Sequence, residues 1–322
     1  MVRQRKITND KSEIITQNHL KISGKNVFKG NIPFYIIILP TLLIVLLFRY
    51  LPMFGLILAF KDYKPKLGII GSPWAASYGF ANFIEVFKTP AFAQAIWNTF
   101  YINALALLIE FPAPIIFALL LTEVKNKYFK KTVQTISYLP HFLSCAAVTG
   151  IVNSLLNTYG LLNSFLMKFG MDPVYLLKDK SAFLPTYLIT SVWQSVGWSS
   201  IIYLATIVGI NPDLYEAASI DGATRFKQVW HITLPGLLPT AMILLILRTG
   251  SMFSSNFELV YGLQNQVAWT QEVISTAVYK YGIGQGEYSL STALGLMQGL
   301  VALALTFSVN KISDKVSNIS MW

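Results

Sequence analysis

The chain has 322 residues, of which 54% are hydrophobic and only 12% are charged, and its formal net charge is +10. A soluble globular domain carries about twice that share of charged residues, so composition excludes a soluble-domain enzyme. The basic excess does not signal nucleic acid either. Its lysines and arginines crowd the N-terminal tail and short loops, and no nucleic-acid-reading module is present. What remains is an all-α integral membrane protein, with apolar runs long enough to cross a bilayer at about 20 residues each.

In chain order, residues 1–31 form a basic tail with Arg3, Arg5, Lys6, Lys11, Lys21, Lys25 and Lys29. The first apolar run, Ile32–Phe60, has Arg49 toward its far end. It lacks a small-residue cleavage pattern and is too long for a signal peptide, so it is expected to stay as a helix. Further spans are expected at Ala95–Leu121, Thr135–Leu156, Ala182–Ile210, Pro235–Phe257 and Leu290–Val309. The result is a polytopic domain over 32–310 with six transmembrane helices and a short tail over 311–322. Lys125, Lys127, Lys130 and Lys131 follow the second span, and Lys311 and Lys315 follow the sixth. With six spans these segments and the N-terminal tail share one side, which the positive-inside rule assigns to the cytoplasm. Both termini are therefore expected in the cytoplasm, and the protein in a bacterial cytoplasmic membrane. The outer segments carry Trp74, Tyr78, Phe80, Tyr159, Phe165, Trp269 and Tyr281, suited to an interfacial belt or to a receptor-docking surface. The single cysteine, Cys145, has no partner in the chain for a disulfide.

The stretch 211–235 reads as two short helices joined at Asp221-Gly222. Asn211 is placed to cap the first helix, with Pro212 at its first position, where a missing N–H costs nothing. Asp213 and Glu216 suit the positive end of the helix dipole. Gly222 supplies the permissive backbone for the reversal. Thr224 is placed to cap the second helix, and Pro235 is expected to end it. Leu214, Ala217 and Ala218 share one face, and Phe226, Val229, Trp230 and Thr233 share another. Such a knob of small and aromatic residues suits insertion into a groove on a partner. An ordinary loop with two interfacial helices reads equally well on physical grounds.

A family resemblance separates the two. Glu216-Ala217-Ala218, three residues, Gly222, nine residues and Ile232-Thr233-Leu234-Pro235 resemble the EAA motif of binding-protein-dependent ABC permeases. Phe111-Pro112-Ala113-Pro114-Ile115, the run Lys130–Phe142, Ala59-Phe60-Lys61-Asp62-Tyr63 and Trp230-His231 are similar to the polysaccharide branch of maltose-type carbohydrate permeases. The resemblance implies a type I importer fold. It also implies that Glu216, Ala217, Ala218, Asp221, Gly222, Phe226, Trp230, Leu234 and Pro235 couple to an ATPase. The implied partners are a second homologous permease, two copies of an ABC ATPase, and an extracytoplasmic solute-binding protein. The cargo would be an oligosaccharide or polysaccharide fragment, including acidic ones such as alginate or pectin pieces.

No G-x-x-x-x-G-K-[ST] loop is present, so no cofactor is expected on this chain, and ATP and Mg would be bound by the partner ATPase. The three histidines, His19, His141 and His231, lack metal-ligand spacing, and no nucleophile–base constellation is visible. Polar and aromatic residues within spans are the candidates for a sugar path. These are Ser144 and Asn153 in the third span, Trp193, Gln194 and Trp198 in the fourth, and Ser251, Ser255 and Asn256 in the fifth. Maltose-type permeases, as the resemblance implies, line their cavity from these regions. Helix packing by the polar groups and interfacial belting by the tryptophans are the competing roles. Glu110 and Arg248 lie near or inside spans, where an isolated charge is costly and a partner is expected. Glu110, followed by Phe111-Pro112, suits a polar crevice, and Arg248 suits meeting an acidic sugar, pairing with a carboxylate or snorkelling toward an interface. The rival to an importer is a six-span secondary transporter or channel working without an ATPase, which requires ionisable residues in its bundle.

Overall fold

The computed structural model describes residues 31–174, 176–177, 179–251, 257–264 and 271–317. Among them every regular element is helical, apart from one antiparallel bridge between Lys61 and Trp74. The chain divides into two compact units, Met1–Ile57 and Leu58–Trp322. The first contains α1 (Ile32–Val45), which runs on through a π-turn at Leu46–Tyr50 into a 3₁₀ stretch at Leu51–Phe60. α1 is apolar all round and none of its residues is buried. A helix of that kind needs lipid or another chain against it.

The second unit is a helical bundle. Its elements are α2 (Ala81–Lys88), α3 (Pro90–Glu110), α4 (Pro112–Glu123), α5 (Lys127–Tyr138), α6 (Cys145–Leu156) and α7 (Leu161–Lys168). They are followed by α8 (Phe183–Val208), α9 (Pro212–Ile220), α10 (Arg225–Gln228), α11 (Leu234–Ser251), α12 (Phe257–Leu263), α13 (Ile274–Ala277) and α14 (Tyr288–Ser317). Among the described residues, three apolar clusters hold it. Ala118, Leu121, Tyr203, Leu204, Leu237 and Ala241 join α4, α8 and α11. Ile102, Val148, Tyr187 and Leu259 belong to a cluster joining α3, α6, α8 and α12. Phe92, Ala95, Ala277 and Leu294 belong to one joining α3, α13 and α14.

Among the described residues, five helical runs are long and apolar enough to cross a membrane: Ile32–Phe60, Pro90–Glu123, Cys145–Lys168, Arg225–Gly250 and Tyr288–Lys315. The remaining expected span is α8. Its 26 residues extend about 39 Å at 1.5 Å per residue, with Ser191, Gln194, Ser195, Ser199 and Ser200 placing polar groups along its middle.

Two expectations are corrected. The third span does not begin at Thr135. That residue lies in the amphipathic α5, which is capped by Asn126 accepting from the N–H groups of Tyr128 and Phe129 at 3.0 and 3.1 Å. A 3₁₀ turn at Leu139–Phe142 and extended backbone at Leu143 and Ser144 separate α5 from α6. Nor does Pro235 end the second short helix, because α10 runs through a π-turn at Val229–Thr233 directly into α11. A proline in a helix lacks an N–H and crowds the carbonyl four residues back. Here the N–H of Leu234 bonds to the carbonyl of Val229, five residues back. The turn is widened just where Pro235 would otherwise collide with it.

Candidate functional site

The 211–235 loop is built largely from local signals. Asn211 Oδ1 accepts from the N–H of Asp213 at 3.0 Å, Pro212 opens α9, and Asp213 lies in the first turn. α9 closes with Gly222 at φ 76°, its N–H on the Ser219 carbonyl at 3.1 Å and the Ala223 N–H on the Ala218 carbonyl at 2.8 Å. That pair of bonds is the Schellman arrangement, and its left-handed residue favours glycine. Thr224 occupies the cap position of α10, but its side chain makes no capping bond. Gln228 Nε2 donates to Ser219 Oγ at 2.9 Å, and the hydroxyls of Tyr215 and Thr233 meet at 3.0 Å. The Arg225 guanidinium reaches the Glu123 carboxylate at the end of α4, at 2.7 Å.

These bonds fix the reversal and leave apolar surface outward. Leu214, Ile220, Phe226 and Trp230 are exposed, and the rings of Phe226 and Trp230 stack at 6.4 Å. Glu216, Ala217, Asp221, Gly222 and Pro235 are exposed as well, while Ala218 and Leu234 are half-buried. The arrangement is a rigid, partly apolar projection able to fill a groove.

Within the bundle, a cavity of about 480 Å³ opens among α3, α4, α8 and α11. Its lining includes Glu110, Phe111, Ser195, Trp198, Ser199 and Arg248. α3 and α4 meet here at Phe111. Pro112 and Pro114 have no N–H to offer the carbonyls of Leu108 and Glu110, so polar backbone is left beside the cavity. Glu110 is buried. Its Oε1 accepts from Ser191 Oγ at 2.5 Å, and its Oε2 accepts from Arg248 Nη2. The partner expected for each of these charges is thus the other, across 138 positions of sequence. Trp198 stacks on His141 with ring centroids 4.7 Å apart and planes 3° off parallel, and it meets Phe142 edge-on at 5.5 Å.

The other path candidates are less directly placed. Gln194 Nε2 donates to the Leu143 carbonyl at 3.4 Å, bracing the break before α6. Ser144 caps α6 by accepting from the Ala147 N–H at 3.2 Å, and Asn153 Nδ2 donates to the Gly262 carbonyl at 3.0 Å. Trp193 is exposed and does not line the cavity. Ser251 ends α11, while Ser255, Asn256 and, in the outer segment, Trp269 lie outside the described residues. Of the candidates among the described residues, Trp198 alone lines this cavity. Sequence reasoning did not join Glu110 to Arg248 or His141 to Trp198. The available signal for the first was two opposite charges in spans, each lacking a local partner. Among the described residues no group of three or more His, Cys, Asp or Glu is arranged to hold a metal ion.

Residues 110–317 match the family model of the binding-protein-dependent transport system inner membrane component. The chain belongs to this family. Its curated relatives include the polygalacturonan/rhamnogalacturonan transport system permease protein YteP of Bacillus subtilis strain 168, 43% identical over 283 residues and 87% of each chain. Protein LplB of the same strain is 41% identical over 87% of this chain and 88% of its own. Among solved structures, a chain from a bacterial ABC transporter involved in the import of the acidic polysaccharide alginate superposes with a TM-score of 0.84. It is 38% identical, over 91% of this chain and 98% of that one. A similar match, TM-score 0.84 and 37% identity, is to a chain of the alginate transporter crystallised with its alginate pentasaccharide-bound periplasmic protein. As a binding-protein-dependent permease component, the chain is a multi-pass inner-membrane protein with the type I ABC importer fold. The secondary-transporter reading is set aside by this membership.

Proposed function

We propose that this permease forms half of the translocation path of an ATP-driven importer for acidic oligosaccharides. The observation that carries the substrate class is the extensive match, at 38% identity, to a chain of a transporter of an acidic polysaccharide. The relative named for polygalacturonan and rhamnogalacturonan points the same way, since a galacturonan is a polymer of a sugar acid. The cavity adds chemical support: a ring for stacking, serine hydroxyls and a guanidinium line one space.

In this reading a second, homologous permease supplies the other half of the path. A binding protein delivers the oligosaccharide from outside, and two ATPase copies bind ATP and Mg. The permease itself catalyses nothing and carries no cofactor. The exposed Phe226–Trp230 face and the small residues of α9 seat in a groove of the ATPase. ATP-driven closure then moves the loop and switches the cavity between its two accesses. Both termini and the 211–235 loop lie in the cytoplasm.

The test is to purify the assembled complex, reconstitute it in vesicles, and follow ATP hydrolysis and uptake with the cognate binding protein. An ATPase subunit should co-purify, and oligogalacturonide-loaded binding protein should stimulate both activities. Stimulation by a neutral oligosaccharide but not by any oligouronide would overturn the substrate class.

A further inference from the structure

The Glu110–Arg248 pair is lopsided. The Glu110 side chain is 3% exposed, whereas that of Arg248 is 52% exposed and lines the cavity. A purely structural ion pair in a membrane bundle is expected to bury both members, because each charge left in a low dielectric is costly. Here the carboxylate is withdrawn and held from both sides by Ser191 and Arg248, while the cation faces open space. Trp198 borders that space, its ring fixed by His141 and Phe142, and Ser195 and Ser199 add hydroxyls on the same helix.

We propose that Arg248 reads the carboxylate of the transported sugar and that Glu110 positions it and moderates its hold. A guanidinium presents donors in a planar fork matched to a carboxylate, so it can engage a sugar acid while Glu110 keeps its own bond. Trp198 offers the stacking surface for the same or the neighbouring sugar ring. A lone arginine in this place would bind an anion tightly. A conducting path instead needs a site that releases what it takes up, and the resident Glu110 charge weakens the attraction accordingly. The aromatic and hydroxyl groups serve any sugar, whereas the guanidinium distinguishes acidic from neutral ones. This inference rests on the acidic-oligosaccharide reading above.

The experiment uses the complete transporter in vesicles with its binding protein, and reads uptake of labelled oligogalacturonide per assembled complex. Arg248→Gln alone leaves a buried carboxylate unpaired and should lower the yield of complex. The double variant Glu110→Gln, Arg248→Gln removes both charges and should restore the yield. Its uptake per complex should still fall by roughly tenfold or more, the scale of one lost charge-assisted hydrogen bond. Glu110→Gln alone keeps Arg248 but removes the charge that moderates it, so the purified complex should retain labelled oligogalacturonide more tightly and uptake per complex should fall several-fold through slower release. Arg248→Lys keeps the charge and the pairing but loses the fork, so it should assemble normally and import several-fold more slowly. It also provides the test should the double variant fail to assemble. Parental uptake per complex in the double variant or in Arg248→Lys would reduce the pair to a structural link and overturn the inference. If the parent imports neutral oligosaccharides and no oligouronide, it is the substrate class that fails instead.

Discussion

Gly222 and Gly197 show two different reasons for a residue to be irreplaceable. At Gly222 nothing lies within 4 Å of where a Cβ would sit, yet φ is 76°, so the obstacle is the backbone conformation. The left-handed region costs an L-residue about 1–2 kcal/mol, and a β-branched side chain more. Gly222→Val should therefore disturb the reversal between α9 and α10. Substrate-stimulated ATP hydrolysis should drop while insertion in the membrane is spared; full stimulation in the variant would refute the coupling role. At Gly197 the obstacle is space, since a Cβ would lie 2.1 Å from the Ser137 carbonyl oxygen, where α5 crosses α8. Gly197→Ala should force those helices apart at a cost of about 1–3 kcal/mol, read as a lower melting temperature of the purified complex. The role of Gly222 was legible in the sequence because caps and reversals are encoded within a few residues of one another. The close approach at Gly197, the pairing of Glu110 with Arg248 and the stacking of Trp198 on His141 were not. Each depends on which helices become neighbours, and hydropathy says nothing about that.

The element that most changes the sequence-based picture is the continuous run α10–π-turn–α11. A proline after a short helix usually marks its end, and that local rule failed at Pro235 because widening one turn relieves the clash. The failure has a mechanical consequence: the exposed face bearing Phe226 and Trp230 is built on the same rod as Arg248. In the proposed mechanism, motion of the loop would reach the cavity along one continuous helical run, with Pro239 inside it. The pairs Arg225–Glu123 and Arg248–Glu110 tie this rod to the α3–α4 arm at two levels. A π-turn also sets the rotation between the two ends of the rod. Each extra residue in the wider turn shifts the following helix by about 100° relative to an unbroken α-helix. Pro235→Ala restores the missing N–H and removes the clash, so the turn is expected to tighten toward α-helix and rotate Phe226 and Trp230 out of register with the span. The complex should assemble with unchanged or higher thermal stability, yet show several-fold lower stimulated ATP hydrolysis. Unchanged stimulation would mean that the π-turn does not set the geometry of coupling.

At the scale of the whole molecule, the transmembrane spans were readable because bilayer thickness imposes a length that few other constraints imitate. The break between α5 and α6 escaped because Ile136, Leu139, Phe142 and Leu143 keep Thr135–Ser144 apolar enough to read as part of a span, while the interruption is one of backbone geometry at Leu143 and Ser144. Orientation rests on a different kind of signal, the placement of lysines and arginines, and it governs everything proposed for the 211–235 loop. Labelling with an impermeant thiol reagent tests it directly. Cys145 is first replaced by Ala, which gives up a contact of 3.9 Å from Gln194 Nε2 to its sulfur and an interaction with the Glu258 side chain. Single cysteines are then introduced as Lys127→Cys, at the exposed start of α5, Ala223→Cys, in the loop, and Ser77→Cys, exposed in the segment after the first span. In intact cells stripped of any outer barrier, the cysteine at 77 should react and those at 127 and 223 should not. On permeabilisation the one at 127 should become reactive, while the one at 223 should stay shielded if an ATPase covers the loop and open once the ATPase is stripped away. Labelling at 223 from outside intact cells would invert the topology and, with it, remove the loop from any contact with an ATPase.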